Sequence, residues 1–303
     1  MIHDKIGIFA PEQHGDIALC TCVLKYKEIL WPGKEIVWFC NLSEEKATYL
    51  DMLKFNDAIV EVRDWPKFKT MEDFRDCVDP NGQLKLSRRS DFESMKDLHN
   101  GYFLVPWAVL PSKAFEGVNY ANIPRQICGA DPSLEWHPYL CFSDEEREAA
   151  RDFCKSLPHA KTIMLETQLR SAGNFNLSES VIREAMAACR AKFGNCNFIF
   201  ASKMDHTKYV DDPGVVSASH FTVRQCALVH NYCDLFIGVC SGITQAVSCW
   251  GNKPVPRVEM CGEIIQSSVI ANGPVTSFTC DNMSLDRMNA GFVQTISNVL
   301  NKF

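Results

Sequence analysis

Short apolar runs alternate with amphipathic stretches along most of this chain. Lys5-Ile-Gly-Ile-Phe-Ala10 has the length and composition of a buried strand. After a glycine-containing turn, Ile17 to Leu30 carries apolar positions at helical spacing, and Pro32-Gly33 stops it. Glu35-Ile-Val-Trp-Phe-Cys40 reads as the next strand, Ser43 to Phe55 as a helix, and Asp57-Ala-Ile-Val-Glu-Val62 as a third strand. Strand, helix and strand within so short a span make a βαβ unit, which implies a parallel sheet with right-handed crossovers.

From Arg63 to about Ser143 the pattern becomes irregular, rich in Pro, Gly, Asp and aromatic residues; so long a stretch without periodicity in a compact protein marks a functional loop or an insertion. Ser143-Asp-Glu-Glu opens a helix with a capping-box start that runs to about Leu157. A second alternating block follows. Lys161 to Glu166 reads as a strand, Ser178 to Phe193 as a helix, Asn197 to Ser202 as a strand, Thr222 to Tyr232 as a helix, and Leu235 to Gly238 as a strand. The pattern therefore predicts an α/β protein with two Rossmann-like domains facing a central cleft: residues 1–157, residues 158–283, and a final helix over 284–303. That helix carries Leu285, Met288, Phe292, Ile296 and Val299 on one face, and the expectation is that it packs back on the N-terminal domain.

The segment with the most chemistry is Leu235-Phe-Ile-Gly-Val-Cys-Ser-Gly-Ile-Thr-Gln-Ala-Val-Ser-Cys249, followed by Trp250-Gly-Asn-Lys-Pro254. It reads as a buried strand, a tight Ser241-Gly242 turn and a small-residue helix. Such a turn leaves backbone N–H groups unpaired at a helix start, a seat for phosphate. It is equally the form of an ordinary strand-to-helix connection.

Composition narrows the classes. The chain has 303 residues, 46% hydrophobic and 22% charged, with a net charge of -6. That balance offers no basic footprint for nucleic acid or for an anionic membrane surface. No apolar run reaches membrane-spanning length and the first residues lack the form of a signal peptide, so a cytoplasmic location is expected, with peripheral membrane contact left open. The fifteen cysteines are scattered through apolar patterns, and the close pair Cys20 and Cys22 lacks the spacing of a redox or zinc motif. They read as structural thiols, and neither a metal site nor a cofactor is expected. Trp31, Trp38, Phe39, Phe198 and Phe200 read as core.

Two motifs in order resemble a known family. His14-Gly15-Asp16, with Thr21, then Leu30-Trp-Pro-Gly33 and Ile36-Val-Trp38, resembles the opening of bacterial heptosyltransferases, glycosyltransferase family 9; Ser241-Gly242 and its flanks resemble that family's C-terminal signature. The resemblance covers both halves of the chain and weakens between Arg63 and Ser143. It implies the GT-B fold and a soluble, metal-independent, inverting glycosyltransferase that moves a sugar from a nucleotide-diphosphate donor to a hydroxyl acceptor such as a glycan.

Transfer of a glycosyl group needs a base for the acceptor hydroxyl and positive or dipolar charge for the departing diphosphate. The resemblance assigns the base to Asp16, which by position alone also suits a helix cap. His14 and Gly15 lie beside it. The diphosphate cradle would come from Ser241, Gly242, Ile243, Thr244 and Gln245 with the loop bearing Thr167, Arg170, Ser171 and Asn174, and Ser202 and Lys203 would meet the nucleoside. Thr222 reads first as a helix cap. Two positions depart from the family pattern. Cys240 stands where an aspartate is usual and Gln245 where a histidine is usual, which leaves donor sugar and nucleotide open. A non-catalytic nucleotide- or sugar-binding protein, or a nucleotide-sugar 2-epimerase of the same fold, are the alternatives.

Overall fold

The computed structural model describes residues 4–10, 13–42, 44–65, 76–104, 118–169, 175–201, 206–209, 211–212, 214–261, 274–279, 283 and 285–303. The chain divides into two compact units, residues 1–141 and 142–303.

In the first unit the strands are β1 (Lys5–Phe9), β2 (Glu35–Cys40), β3 (Ile59–Asp64) and β4 (Leu98–Phe103), all parallel in the order β3-β2-β1-β4. Their core is an aromatic stack laid across adjacent strands. Phe9 is paired in register with Phe39 and Phe103, and its ring stacks on each at 4.3 Å. Gly101 makes room for it, since a Cβ there would come 2.7 Å from the Phe9 ring. Strand β4 went unread in the sequence because Leu98-His-Asn-Gly-Tyr-Phe mixes polar residues into a short run.

The helix expected over Ile17 to Leu30 is three pieces: α1 (His14–Thr21), a 3-10 turn over Cys22–Tyr26, and α2 (Lys27–Leu30). The change falls at Thr21, whose hydroxyl donates back to the Ala18 carbonyl at 2.6 Å and accepts the Tyr139 N–H at 3.0 Å, a local bond that competes with the helix. The helix expected at Ser43–Phe55 is a 3-10 helix over Glu44–Leu53. A short α3 (Ile123–Ile127) lies in the irregular stretch.

The second unit opens with α4 (Asp144–Lys155), capped as its sequence demands. Ser143 accepts the Glu146 N–H, and the Glu146 carboxylate accepts the Ser143 N–H. Glu146 also holds Arg224 at 2.8 Å and Gln225 at 2.9 Å, tying α4 to α6 (Val223–His230). The unit boundary consequently falls before α4, at residues 141 and 142, whereas the sequence suggested residues 157 and 158.

Its sheet holds β5 (Lys161–Glu166), β8 (Cys196–Phe200), β9 (Val215–Ser217), β10 (Leu235–Val239), β11 (Arg257–Cys261) and β12 (Val275–Thr279). A minor pair, β6 (Gln168–Leu169) and β7 (Phe175–Asn176), lies apart from it. The main order is β12-β11-β10-β5-β8-β9, with every pairing parallel. The chain leaves β5 in one direction through β8 and β9, then returns to β5's other side with β10. That reversal makes the sheet doubly wound.

One face is covered by α5 (Glu179–Phe193) and α8 (Leu285–Leu300), burying Val181, Ala185, Phe292 and Ile296 against Leu165, Phe198 and Ile237. The final helix thus spends its apolar face in the core of the second unit, and not, as expected for residues 284–303, on the N-terminal domain. The other face packs α6 and α7 (Gly242–Ala246) over Met164, Ile199 and Phe236. Trp31, Trp38, Phe39, Phe198 and Phe200 are all buried, as are Cys189, Cys226 and Cys249. No helix among the described residues is long and apolar enough to cross a membrane.

Candidate functional site

In a doubly wound sheet the crevice for a ligand opens outside the carboxyl ends of the two strands where the winding reverses. Here those strands are β5 and β10. Gly238 pairs with Glu166, so β5 ends in Glu166-Thr167 directly beside the end of β10 and Cys240-Ser241. The strands approach closely because residue 238 is glycine; a Cβ there would lie 2.4 Å from the Glu166 carbonyl oxygen. The fold therefore brings Thr167 and the Ser241–Gln245 turn together, two segments that the sequence placed at one crevice.

The turn is more self-contained than the sequence suggests. The Ser241 hydroxyl accepts the Ile243 N–H at 3.1 Å, and the Thr244 hydroxyl accepts the Ser241 N–H at 2.8 Å while donating to the Ser241 carbonyl at 2.6 Å. The expectation of several unpaired N–H groups is narrowed accordingly, since a serine and a threonine three residues apart form a capping box that takes up the Ser241 and Ile243 N–H groups locally. Ser241 and Gly242 are half-buried, whereas Ile243, Thr244, Gln245 and Thr167 are buried. What the turn presents to a ligand is its Ser-Gly apex, with Thr244 bracing it from below.

Under the turn lies a set of polar groups that the sequence reading missed. Gln245 Nε2 donates to Cys240 Sγ at 3.7 Å. Arg257 on β11 donates to the Thr244 carbonyl at 2.9 Å and to the Ser248 hydroxyl at 2.6 Å. Its Nη1 is 3.3 Å from the Glu259 carboxylate. Glu259 is fully buried, and burial holds its carboxyl above the ordinary range, the nearby Arg257 opposing that shift. The signal was present in Arg257-Val-Glu-Met-Cys261, where charged and apolar residues alternate with strand period.

In the first unit, α1 begins directly after β1 and the turn at Gln13, whose φ is +65°. Gln13 occupies the N-cap without a capping side-chain bond, and His14, Gly15 and Asp16 form the first turn. Asp16 is therefore the third helical residue and not the cap, where its charge is favoured by the helix dipole. The His14 ring meets Tyr49 edge-on at 4.7 Å. All three residues are half-buried.

Thr222 caps α6, its hydroxyl accepting the Gln225 N–H at 3.2 Å. Arg170, Ser171, Asn174, Ser202 and Lys203 lie outside the described residues.

No family model matches the sequence, and no curated protein matches it. Solved structures do. The chain is similar to the glycosyl transferase family 9 protein of Veillonella parvula DSM 2008, with a TM-score of 0.63 at 12% identity over 100% of this chain and 99% of that one. It is similar to the E. coli ADP-heptose LPS heptosyltransferase II, with a TM-score of 0.60 at 11% identity over 98% and 99%. The E. coli heptosyltransferase WaaC with ADP gives a TM-score of 0.56 at 13% identity over 99% and 98%. The fold is GT-B. Its expected form, two parallel doubly wound α/β units in one chain, is the form found. The matches cover 98% or more of this GT-B chain and 99% of each of the two solved chains.

Proposed function

We propose that this GT-B protein is a glycosyltransferase that moves a sugar from a nucleotide-diphosphate donor to a hydroxyl acceptor, a glycan in the first instance, in the cytoplasm and with inversion at the anomeric carbon. The observation that carries the reading is the end-to-end structural likeness to a glycosyl transferase family 9 protein and to heptosyltransferases, one of them described with ADP. The neighbouring ends of β5, at Glu166, and β10, at Gly238, at the winding reversal of the second unit support it.

In this reading the second unit seats the donor. Ser241 and Gly242 meet the diphosphate, Thr244 and Gln245 hold the turn from beneath, and Thr167, Arg170, Ser171 and Asn174 close it from the β5 side. Ser202 and Lys203 follow β8 and reach the nucleoside. The first unit supplies Asp16, flanked by His14 and Gly15. Asp16 takes the proton of the acceptor hydroxyl as its oxygen attacks the anomeric carbon; the bond to the diphosphate breaks, and the nucleoside diphosphate departs with the electron pair. Hydroxyl and backbone donors at the turn and Arg170 offset the charge that develops on it, so no dissociable metal ion need bridge the phosphates. Rates are expected to be equal with and without added magnesium. Cys240 and Gln245 replace the acidic and histidine residues usual in the family, and the donor is assigned only to its chemical class.

Incubation with ADP-, UDP-, GDP-, CMP- and dTDP-sugars, reading release of free nucleotide, tests the proposal. Release with at least one donor is expected, and Asp16→Asn should lower it by roughly 100-fold or more, the loss typical of a general base. Thermal stabilisation by the matching nucleotide should survive that substitution. Stabilisation without any release would favour a non-catalytic binder, and unchanged turnover in Asp16→Asn would remove Asp16 from the mechanism.

A further inference from the structure

We infer that Cys240, Glu259 and Cys261 form a binding site for a thiophilic divalent cation of the zinc type, beneath the Ser241-Gly242 turn. The topology assembles it. In the parallel pair β10 and β11, Gly238 faces Glu259 and Val239 faces Met260, and the Cys240 N–H continues the ladder to the Met260 carbonyl at 3.0 Å. Cys240 and Cys261 therefore occupy the next rung. Side chains alternate along a strand, so Glu259 and Cys261 point to one face, the face on which Cys240 also lies. All three are buried, and their ligand atoms lie within 4.8 Å of one another. Tetrahedral zinc with sulfur at about 2.3 Å and oxygen at about 2.0 Å spaces its ligands roughly 3.3–3.8 Å apart, so small rotamer shifts close the set around an ion.

Two independent observations point into the same spot. Both Glu259 carboxylate oxygens are buried without a hydrogen bond among the described residues, with the Arg257 guanidinium 3.3 Å from one of them. Gln245 is 4% exposed, its Oε1 is also without a hydrogen-bond partner among the described residues, and its Nε2 is 3.7 Å from Cys240 Sγ. Amide oxygen and nitrogen exchange places by a half-turn of the terminal torsion. That rotation delivers Oε1 to the cysteine sulfurs as a fourth ligand. Buried polar atoms left unpaired are costly, and a cation relieves all of them together.

Charge and ligand softness agree. Two thiolates and one carboxylate carry three negative charges, which a divalent cation and the Arg257 guanidinium cancel, leaving the buried cluster neutral. Sulfur donors select zinc-like ions over magnesium or calcium, which take oxygen ligands in larger shells. A closed four-ligand set is the structural kind of site. Here it ties the ends of β10 and β11 together under the turn that follows β10, and a cation so enclosed stays in place irrespective of added magnesium.

The test uses the full chain, purified under reducing conditions, stripped by chelator and titrated with Co2+. One Co2+ per chain is expected, with tetrahedral d–d bands and intense thiolate-to-cobalt charge transfer. Cys240→Ser and Cys261→Ser should each weaken binding by at least about tenfold, the smaller end of what losing even an outer-shell partner costs, and should diminish the charge-transfer band. Cys249→Ser, which alters another fully buried cysteine, should bind as wild type does. X-ray absorption on the wild-type zinc complex, which no folding defect can confound, should show two sulfur scatterers. Failure to bind either ion, or a bound ion with no sulfur neighbour, or full binding in both cysteine variants, would overturn the site.

Discussion

His230 ends α6 with both ring nitrogens buried and without hydrogen-bond partners among the described residues. Burial, with the positive charges of Arg257 and Lys253 adding to it, pushes its pKa down to about 3 from an ordinary 6.5. The folded chain therefore keeps this imidazole neutral where the unfolded chain would protonate it. Between those two values the unfolded state binds the extra proton, so stability falls as pH drops below 6.5, by up to about 1.4 kcal/mol per pH unit for one proton. Urea denaturation between pH 7 and 5, above the range in which most carboxylates titrate, isolates the effect. His230→Leu should flatten that slope; an unchanged slope would assign the acid sensitivity elsewhere. The sequence showed His230 only as a polar residue late in a helix, because burial of both nitrogens depends on what packs over them. Thiols were easier to read at this scale. Cys189 and Cys226 sit at apolar helical positions, and burial pushes each up to about 12, keeping them unreactive.

Elements whose signal is local were legible with their bounds. Glu35–Cys40 and Lys161–Glu166 are strands as read, and Ser143, Ser178 and Thr222 are the N-caps of α4, α5 and α6. Elements that depend on neighbours were not. Strand β11 carries Arg257 and Glu259, which suit a buried strand only because Thr244, Ser248 and each other's charge surround them. The junction of β5 and β10 is likewise an element-level matter, and it rests on Gly238. Gly238→Ala would force a methyl group to within 2.4 Å of the Glu166 carbonyl oxygen, which backbone can relieve only by separating the strands. A destabilisation of about 1–3 kcal/mol or more is expected, with weakened nucleotide stabilisation because Thr167 and Ser241 are carried apart. Equal denaturation midpoints for variant and parent would show that the sheet yields there freely.

At the scale of the whole molecule, two units share a winding logic in which the first strand by sequence lies inside its sheet and the chain returns to that strand's other side. Each unit has its own core, and the second contains every element that would seat a donor. Residues 142–303 expressed alone should therefore fold cooperatively and keep the parent's nucleotide stabilisation while losing sugar transfer, because Asp16 is absent. Calorimetry and thermal shift measure both; a fragment without a cooperative transition would show that the second unit needs the first to fold.

The alternation of strand and helix, the caps, the apolar faces and the Ser-Gly turn were determined by the sequence itself, because each is written in residues a few positions apart and obeys the period of its own element. Tertiary structure alone decided which strands became neighbours. Pairing β10 with β5 put the strand end before Ser241 next to the strand end before Thr167, and pairing it with β11 put Cys240 beside Cys261 and Glu259. Parallel pairing joins segments far apart in the chain through crossovers, and its register answers to packing across the whole sheet, so no local pattern announces it. The cysteine that departs from the family pattern at the turn thus reads as an isolated substitution in sequence and as one member of a buried cluster in the fold.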